Sequence, residues 1–471
     1  MGCFPYVNAP LSACHLTPLK NKVLVHVCTC SNDRQKPWGA AMTAINKGDA
    51  MNLLNRGLVA AAAVMFFLAS SANAQDSSIY VQCPETTDLH PTGDGIVCDH
   101  LAAGDGMVTM ADDAEKQQYI FSFARVPLPG EGDAPTAASG DYPGYVMDKG
   151  MLAANAPAPT IMLDEDDEFF LSLTNVGMTM RPDLFDPHTV HWHGFPQAAS
   201  IFDGVPDSSV SVNMGATLTY YYNAKDAGTY MYHCHVEATE HMQMGMLGNL
   251  FVRPRQNRCD AITASDPGFG LPGSTCPAGH VAGTTTYAYN DGDGSTAYDV
   301  EYPVQMGSFD PDFHDASFNV QPLPFADMED RYFLLNGRGY PDTANPAVLS
   351  TTDPLGMPQD SQPVDSLILA KKNQRILLRI SNLNITSFYT IGSNLPMQVV
   401  GLDARLLRDG AGNNMYYTTN SVTLGGGQSA DVIVTAPATP GTYFLYTTNL
   451  DRLANDAENF GGMMTEIQIS N

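Results

Sequence analysis

Between Tyr232 and Met246 the chain places one thiol, three imidazoles and three thioethers: Cys234; His233, His235 and His241; Met242, Met244 and Met246. Soft sulfur together with imidazole is a donor set that copper prefers. Two imidazoles, a thiolate and a weak axial thioether make a blue-copper electron-transfer site. Cys234, His241 and Met246 offer three of those four ligands. The fourth must come from a distant strand, and His188-Thr189-Val190-His191-Trp192-His193 is the stretch that offers it.

Parity sharpens the assignment. Gly228 to His235 is rich in aromatic and β-favouring residues and opens on glycine, so it reads as a strand. Side chains alternate faces along a strand. Cys234 therefore points one way, and His233 and His235 the other. In the second cluster His191 and His193 share a face, while His188 has the opposite parity. Pairing His188 with Cys234 completes a mononuclear copper site. His191, His193, His233 and His235 then gather on the other side as half of a second copper site.

HTVHWHG and YHCH-x5-H-x4-M resemble the copper-binding motifs of multicopper oxidases, the laccase-like cupredoxin superfamily, over about residues 118–471. The five-residue gap between His235 and His241 is longer than the three usual in laccases. The resemblance implies an all-β protein with cupredoxin-like Greek-key sandwich or barrel domains. It also implies a type 1 copper on His188, Cys234 and His241. Met246 fits the family spacing for the axial position better than Met242 or Met244. By the same resemblance, His191, His193, His233 and His235 are type 2/type 3 copper ligands. Single electrons from a donor would pass along the Cys–His backbone to a cluster that reduces oxygen to water. Protons for that reduction need carboxylates. Asp203, in a DGVP segment like that of laccase-like domains, and Glu237, beside the ligands, are the candidates.

The whole chain bounds this reading. Its 471 residues suggest two or three domains. Charged residues are only 15% and Gly and Pro are frequent, as suits an all-β protein with many turns. Beyond residue 74 there are 17 basic against 48 acidic side chains, about −31. Such a surface argues against nucleic acid and anionic membranes as partners and would attract cations. Residues 51–74 read as a secretory signal: Arg56, the short apolar run Leu58 to Leu68, then Ala72-Asn73-Ala74 before Gln75. The apolar run is too short to span a bilayer comfortably, so no membrane span is expected after cleavage. Residues 1–50 read as a non-translated or disordered leader, with translation starting at Met51 or Met42. The resulting expectation is a periplasmic or secreted protein. Its five remaining cysteines suit disulfides Cys83–Cys98 and Cys259–Cys276 in an oxidising compartment, with Cys234 left alone as a copper thiolate should be.

In chain order, residues 75–117 read as an acidic, turn-rich extension looped by the first disulfide, with His90 and His100 on surface loops. A copper-binding cupredoxin domain runs over about 118–255, its long insert from Pro127 to Ala158 a surface loop. A linker over 256–284 carries the second disulfide, and a second cupredoxin-like domain fills 285–471. That domain reads as a worn copy of the first. Gly228-Thr229-Tyr230 recurs as Gly441-Thr442-Tyr443, but His233, Cys234 and His235 then correspond to Tyr446, Thr447 and Thr448.

The family's trinuclear cluster takes eight imidazoles, four from each of two domains. Here the second domain cannot supply its share. A second copy of this chain meeting the first face to face, or a different partner, would complete the cluster; otherwise the four histidines hold fewer ions. Donors open to such a protein are phenols, metal ions and redox proteins. A copper nitrite reductase is the rival, its catalytic copper on His193, His233 and a neighbouring subunit's histidine. Against it, that family's active-site Asp falls at His191, and His235 would have no use. A non-enzymatic copper carrier or sequestering protein is the third reading.

Overall fold

Alternation of apolar and polar side chains builds strands whose buried faces make two cores. The computed structural model describes residues 79 to 471 except residues 112 and 457, with a ribbon of Lys22–Val25 paired to Thr43–Asn46. The expected signal at 51–74 lies outside the described residues. Strands in the first half are β1 (Ile96–Met110), β2 (Asp113–Arg125), β3 (Ala158–Asp164), β4 (Glu168–Gly177), β5 (His191–His193), β6 (Thr217–Asn223), β7 (Gly228–His233) and β8 (Leu247–Arg253). They form two four-stranded sheets, β2-β1-β4-β6 and β3-β8-β7-β5. Between them lies a core that includes Phe121, Leu171, Trp192, Tyr220, Tyr232 and Leu250. Trp192 stacks on Tyr222 at a centroid distance of 3.7 Å and 13° between planes, a contact worth about 0.5–1.5 kcal/mol beyond burial.

The second half holds β9 (Val300–Phe309), β10 (Tyr332–Leu335), β11 (Ile368–Lys371), β12 (Arg375–Asn382), β13 (Tyr389–Leu402), β14 (Tyr417–Leu424), β15 (Gln428–Thr435), β16 (Gly441–Thr447) and β17 (Met464–Ser470). These make one continuous sheet, β10-β9-β12-β15-β13-β16-β17-β11, with β14 paired to β13. It encloses its own core, Ile376, Leu378, Ile391, Val399, Val432 and Leu445 among it. Ser77–Asn471 packs as one compact unit. No helix among the described residues is long and apolar enough to cross a membrane.

Every residue of β7 is buried, not every second one. Tyr230 and Tyr232 face the first core. The other face, from Thr229, is covered by the second half. There Arg379, fully buried, lies 3.0 Å from Glu301 and 3.3 Å from Asp431. Asp431 accepts hydrogen bonds from Thr229 Oγ1 at 2.5 Å and from the Tyr289 hydroxyl. Ser429 Oγ donates to the Thr229 carbonyl at 2.7 Å.

Three expectations for the lead-in and insert are corrected. The stretch from Ile96 is a fifteen-residue strand, not turn-rich loop. Its Gly104 and Asp105, which resemble a turn, have packing roles. A Cβ on Gly104 would meet Val176 at 2.8 Å, and Asp105 accepts from the backbone N–H groups of Thr179 and Met180 at 2.9 and 2.7 Å. The insert from Pro127 contains helix α1 (Tyr142–Gly150), which buries Tyr142 and Val146. Nor are His90 and His100 on the surface; both are buried.

His100 has its Nδ1 2.7 Å from the Tyr142 hydroxyl and its Nε2 2.7 Å from Thr174 Oγ1. The Tyr142 hydroxyl donates to the Pro127 carbonyl at 2.9 Å, so its lone pairs take the Nδ1–H. Burial lowers the His100 pKa from 6.5 to about 4. Stability tied to the neutral ring is complete above the unfolded value near 6.5. It is lost as pH falls towards 4, because the unfolded chain takes the proton first. The loss for this group is about 3 kcal/mol. Denaturant midpoints measured between pH 7 and 4 are expected to fall less steeply for His100→Gln than for the parent.

Candidate metal centres

Register brings the first histidine cluster to the second. β5 pairs antiparallel with β7, His191 opposite His233 and His193 opposite Met231, so these imidazoles share one face. Trp192, of opposite parity, is fully buried in the first core. β7 ends at His233, two residues earlier than the sequence suggests, yet alternation continues. Cys234 N–H donates to the Met246 carbonyl at 3.1 Å, and His235 N–H donates to Thr189 Oγ1 at 3.0 Å. Cys234 thus enters the first core while its neighbours face away.

Around the Cys234 sulfur the geometry is that of a ligand set. His241 Nδ1 lies 3.2 Å from Sγ and His188 Nδ1 3.9 Å. Metal–sulfur and metal–nitrogen bonds of about 2.3 and 2.0 Å at trigonal angles put sulfur and nitrogen roughly 3.7 Å apart, and the two distances bracket that value. The thiol and both imidazoles are fully buried, and Cys234 is the free cysteine of the described residues. The other described cysteines form Cys83–Cys98 and Cys259–Cys276. Burial pushes the thiol's pKa up, but His241 and His188 outweigh it and hold the thiol well below its ordinary value. Thiolate is the form a metal binds. The Thr189 N–H also points at Sγ, at 3.4 Å.

His188 is held by paired backbone bonds with Val212, 3.0 and 2.8 Å. His241 sits on a short helix, α2 (Ala238–Gln243), which takes up the longer gap. Of the three thioethers, Met244 and Met246 are buried in the core that holds Cys234. Met242 lines the opposite cleft.

That cleft, of about 500 Å³, is lined by His191, His193, His233 and His235. Ligand nitrogens of His191, His193 and His233 all lie within 4.8 Å of one another. The His235 ring lies 5.2 Å from that of His191 and 5.6 Å from that of His233. Two tautomers are set by backbone carbonyls: His191 Nδ1 meets Asp203 O at 2.6 Å, and His233 Nδ1 meets Cys234 O at 2.7 Å. Donating those protons leaves Nε2 bare on both rings, as a metal ligand requires. Burial lowers the pKa of all three rings, to about 3 for His233. The facing wall comes from the second half: Leu383 to Phe388, Gly426 and Gly427. It carries no imidazole.

The two carboxylates singled out above fall in different places. Asp203 holds His191 through its carbonyl, and its carboxylate lies 3.5 Å from the same ring. Glu237 is exposed, with a left-handed φ of 44°. It clusters with Asp186 and His241 on the thiol side, ligand atoms within 4.8 Å, and is not among the residues lining the cleft. Asp186, missed in the sequence, has Oδ2 3.8 Å from His241 Nε2. Its place two residues before His188 was the available signal. Gly427 was also missed, though its run Gly425-Gly426-Gly427 marks a close approach of backbone.

Models of one family, described as multicopper oxidase, match residues 145–257 and 319–465, together more than half of the chain. The multicopper oxidase MCE of Talaromyces pinophilus is 33% identical over 124 residues, covering 26% of this chain and 19% of that protein. Laccase-1 of Emericella nidulans is 35% identical over 119 residues, 24% of this chain and 17% of that one. The alignments thus span under a fifth of either relative. Among solved structures, the blue copper oxidase of Nitrosomonas europaea aligns with a TM-score of 0.53 at 21% identity, over 79% of this chain and 86% of that one. The multicopper oxidase mgLAC aligns at 0.52 and 19%, over 80% and 86%. These two likenesses speak for the all-β cupredoxin fold alone. With a buried thiol between two imidazoles, a bank of histidines behind it and both family matches in place, the chain belongs to the multicopper oxidase family, whose cofactor is copper.

Proposed function

We propose that this chain is an exported copper oxidoreductase that takes single electrons from a donor at the Cys234 site and delivers them to oxygen at the imidazole cleft. A single observation carries the reading. Cys234 is bonded through its own backbone to His233 and His235, so one short peptide joins a buried thiol site to the cleft. Copper bound at both sites supplies one-electron redox chemistry. The remaining work belongs to the residues. His188, Cys234, His241 and Met246 make the donor-side ligand set in a dry core that excludes water. The Thr189 N–H at 3.4 Å from sulfur tunes its electron density. His191, His193, His233 and His235 make the acceptor-side set, with Asp203 orienting His191. Glu237, on the other side, is better placed to meet donors.

The copper-binding cupredoxin domain is taken as about 118–255 with β1 (Ile96–Met110) added to its sheet, the linker as 256–284 and the second, ligand-free domain as 285–471. Two disulfides support export, as does the signal-like run at 51–74. Donors are phenols, metal ions or a redox protein. Asp186 and Glu237 beside His241 favour a cationic one by simple attraction. The test is the purified, copper-loaded protein with a one-electron donor. Intense blue absorption that bleaches anaerobically and returns with oxygen uptake supports the reading. A blue protein that is re-oxidised by nitrite and not by oxygen replaces the acceptor. A colourless copper protein overturns the whole.

A further inference from the structure

The acceptor cleft departs from the family pattern in a way that bears on how many metal ions it takes. A cluster of eight imidazoles plus two at the Cys234 site needs ten. The chain has twelve histidines, but four are engaged elsewhere. His90 meets Asp166 O at 2.9 Å, and His100 lies between Tyr142 and Thr174. His280 lies between Asp260 and Tyr287, and His314 between the carbonyls of Tyr119 and Gln243. Even with His15 and His26, outside the described residues, one chain falls short.

Part of the space facing these imidazoles is also taken by this chain itself. A Cβ on Gly427 would come within 2.4 Å of His193 Nε2, so the backbone of the second half lies directly against that ring. This wall is anchored. Asp330 accepts from Asn384 Nδ2 at 3.1 Å and from Gln243 Nε2 at 3.2 Å, tying the wall to α2. His193 Nε2 is thereby turned to the wall, while its Nδ1 lies 3.4 Å from His233 Nε2. Two nitrogens bound at about 2.0–2.1 Å with a tetrahedral angle stand roughly 3.3–3.4 Å apart. His191, whose Nε2 is the bare nitrogen, offers a ligand atom within 4.8 Å of one on each of the other two rings.

Resting on the proposed function, we propose that the cleft holds one copper ion, on His191 Nε2, His193 Nδ1 and His233 Nε2, closed by the chain's own Gly426–Gly427 turn. The loaded chain then carries two copper ions, with no magnetically coupled pair.

The experiment is metal content and EPR spin integration on the oxidised, copper-loaded full chain. Two coppers per chain, both EPR-visible, are expected, one with the small hyperfine splitting of a thiolate site and one with ordinary splitting. His193→Ala is expected to remove one of the two and leave the blue band. Gly427→Ala, which adds a clash and a strained positive φ of 87°, is expected to weaken copper at the cleft at least tenfold in a chelator competition. A spin count well below total copper, or more than two coppers per chain, overturns the proposal while leaving the function reading intact. Absence of the blue signal defeats the function reading instead, so the two failures are distinct.

Discussion

Cys234→Ser is expected to abolish the blue absorption and to lower donor-driven oxygen uptake more than about 100-fold. Loss of residues that only orient metal ligands costs 10–100-fold, so loss of the thiolate must exceed that. Serine is close to cysteine in size, and the fold should survive. The new hydroxyl is buried but has polar neighbours, since the Thr189 N–H and the His241 and His188 imidazoles lie 3.4, 3.2 and 3.9 Å from the sulfur position. Oxygen cannot take the role of sulfur, because the blue colour and the facile one-electron chemistry arise from the soft copper–thiolate bond. His191, His193 and His233 do not touch the sulfur, so the cleft keeps its copper and total metal falls by half. A Cys234→Ser protein that stays blue refutes the assignment outright.

Asp431→Ala is expected to cost about 3–5 kcal/mol of stability. Breaking a buried ion pair by removing one partner leaves an uncompensated charge in a low dielectric. Arg379 is fully buried and would keep Glu301 and the Thr229 hydroxyl but lose half of its carboxylate partners, while the hydroxyls of Thr229 and Tyr289 would lose their acceptor. Thr229 lies on β7, so the ribbon that carries the ligands is loosened at its start. Replacing both charges, Arg379→Met with Asp431→Leu, is expected to cost less than the single change, since a matched apolar pair leaves no orphan charge. Denaturant unfolding of the three variants, all copper-loaded in one buffer, decides it. A cost below 1 kcal/mol for Asp431→Ala would show that water reaches the network.

Where local rules govern, the chain was legible. Periodicity of two placed Cys234 and its flanking imidazoles on opposite faces, and that follows from strand geometry alone. The same parity joined His188 to Cys234 and put His191 and His193 with His233. Cysteine spacing anticipated both disulfides. What misled was residue type read without its surroundings. Residues 75–117 read as turn-rich, but sheet packing on Val176 and the N–H groups of Thr179 and Met180 hold Gly104 and Asp105 in strand. His100 looks like a loop histidine until Tyr142 and Thr174, far along the chain, enclose it.

The amino-acid order by itself determined the candidate donor atoms, their alternation about one β-ribbon and the all-β class, because each depends on neighbours in the chain. Only the tertiary structure decided which surface closes the cleft and which acids lie near which site. Gly427 and His193 are more than two hundred residues apart, and their contact depends on how two separately cored halves pack. That packing rests on shape and on the buried Arg379–Asp431–Thr229 network, and no local pattern encodes it.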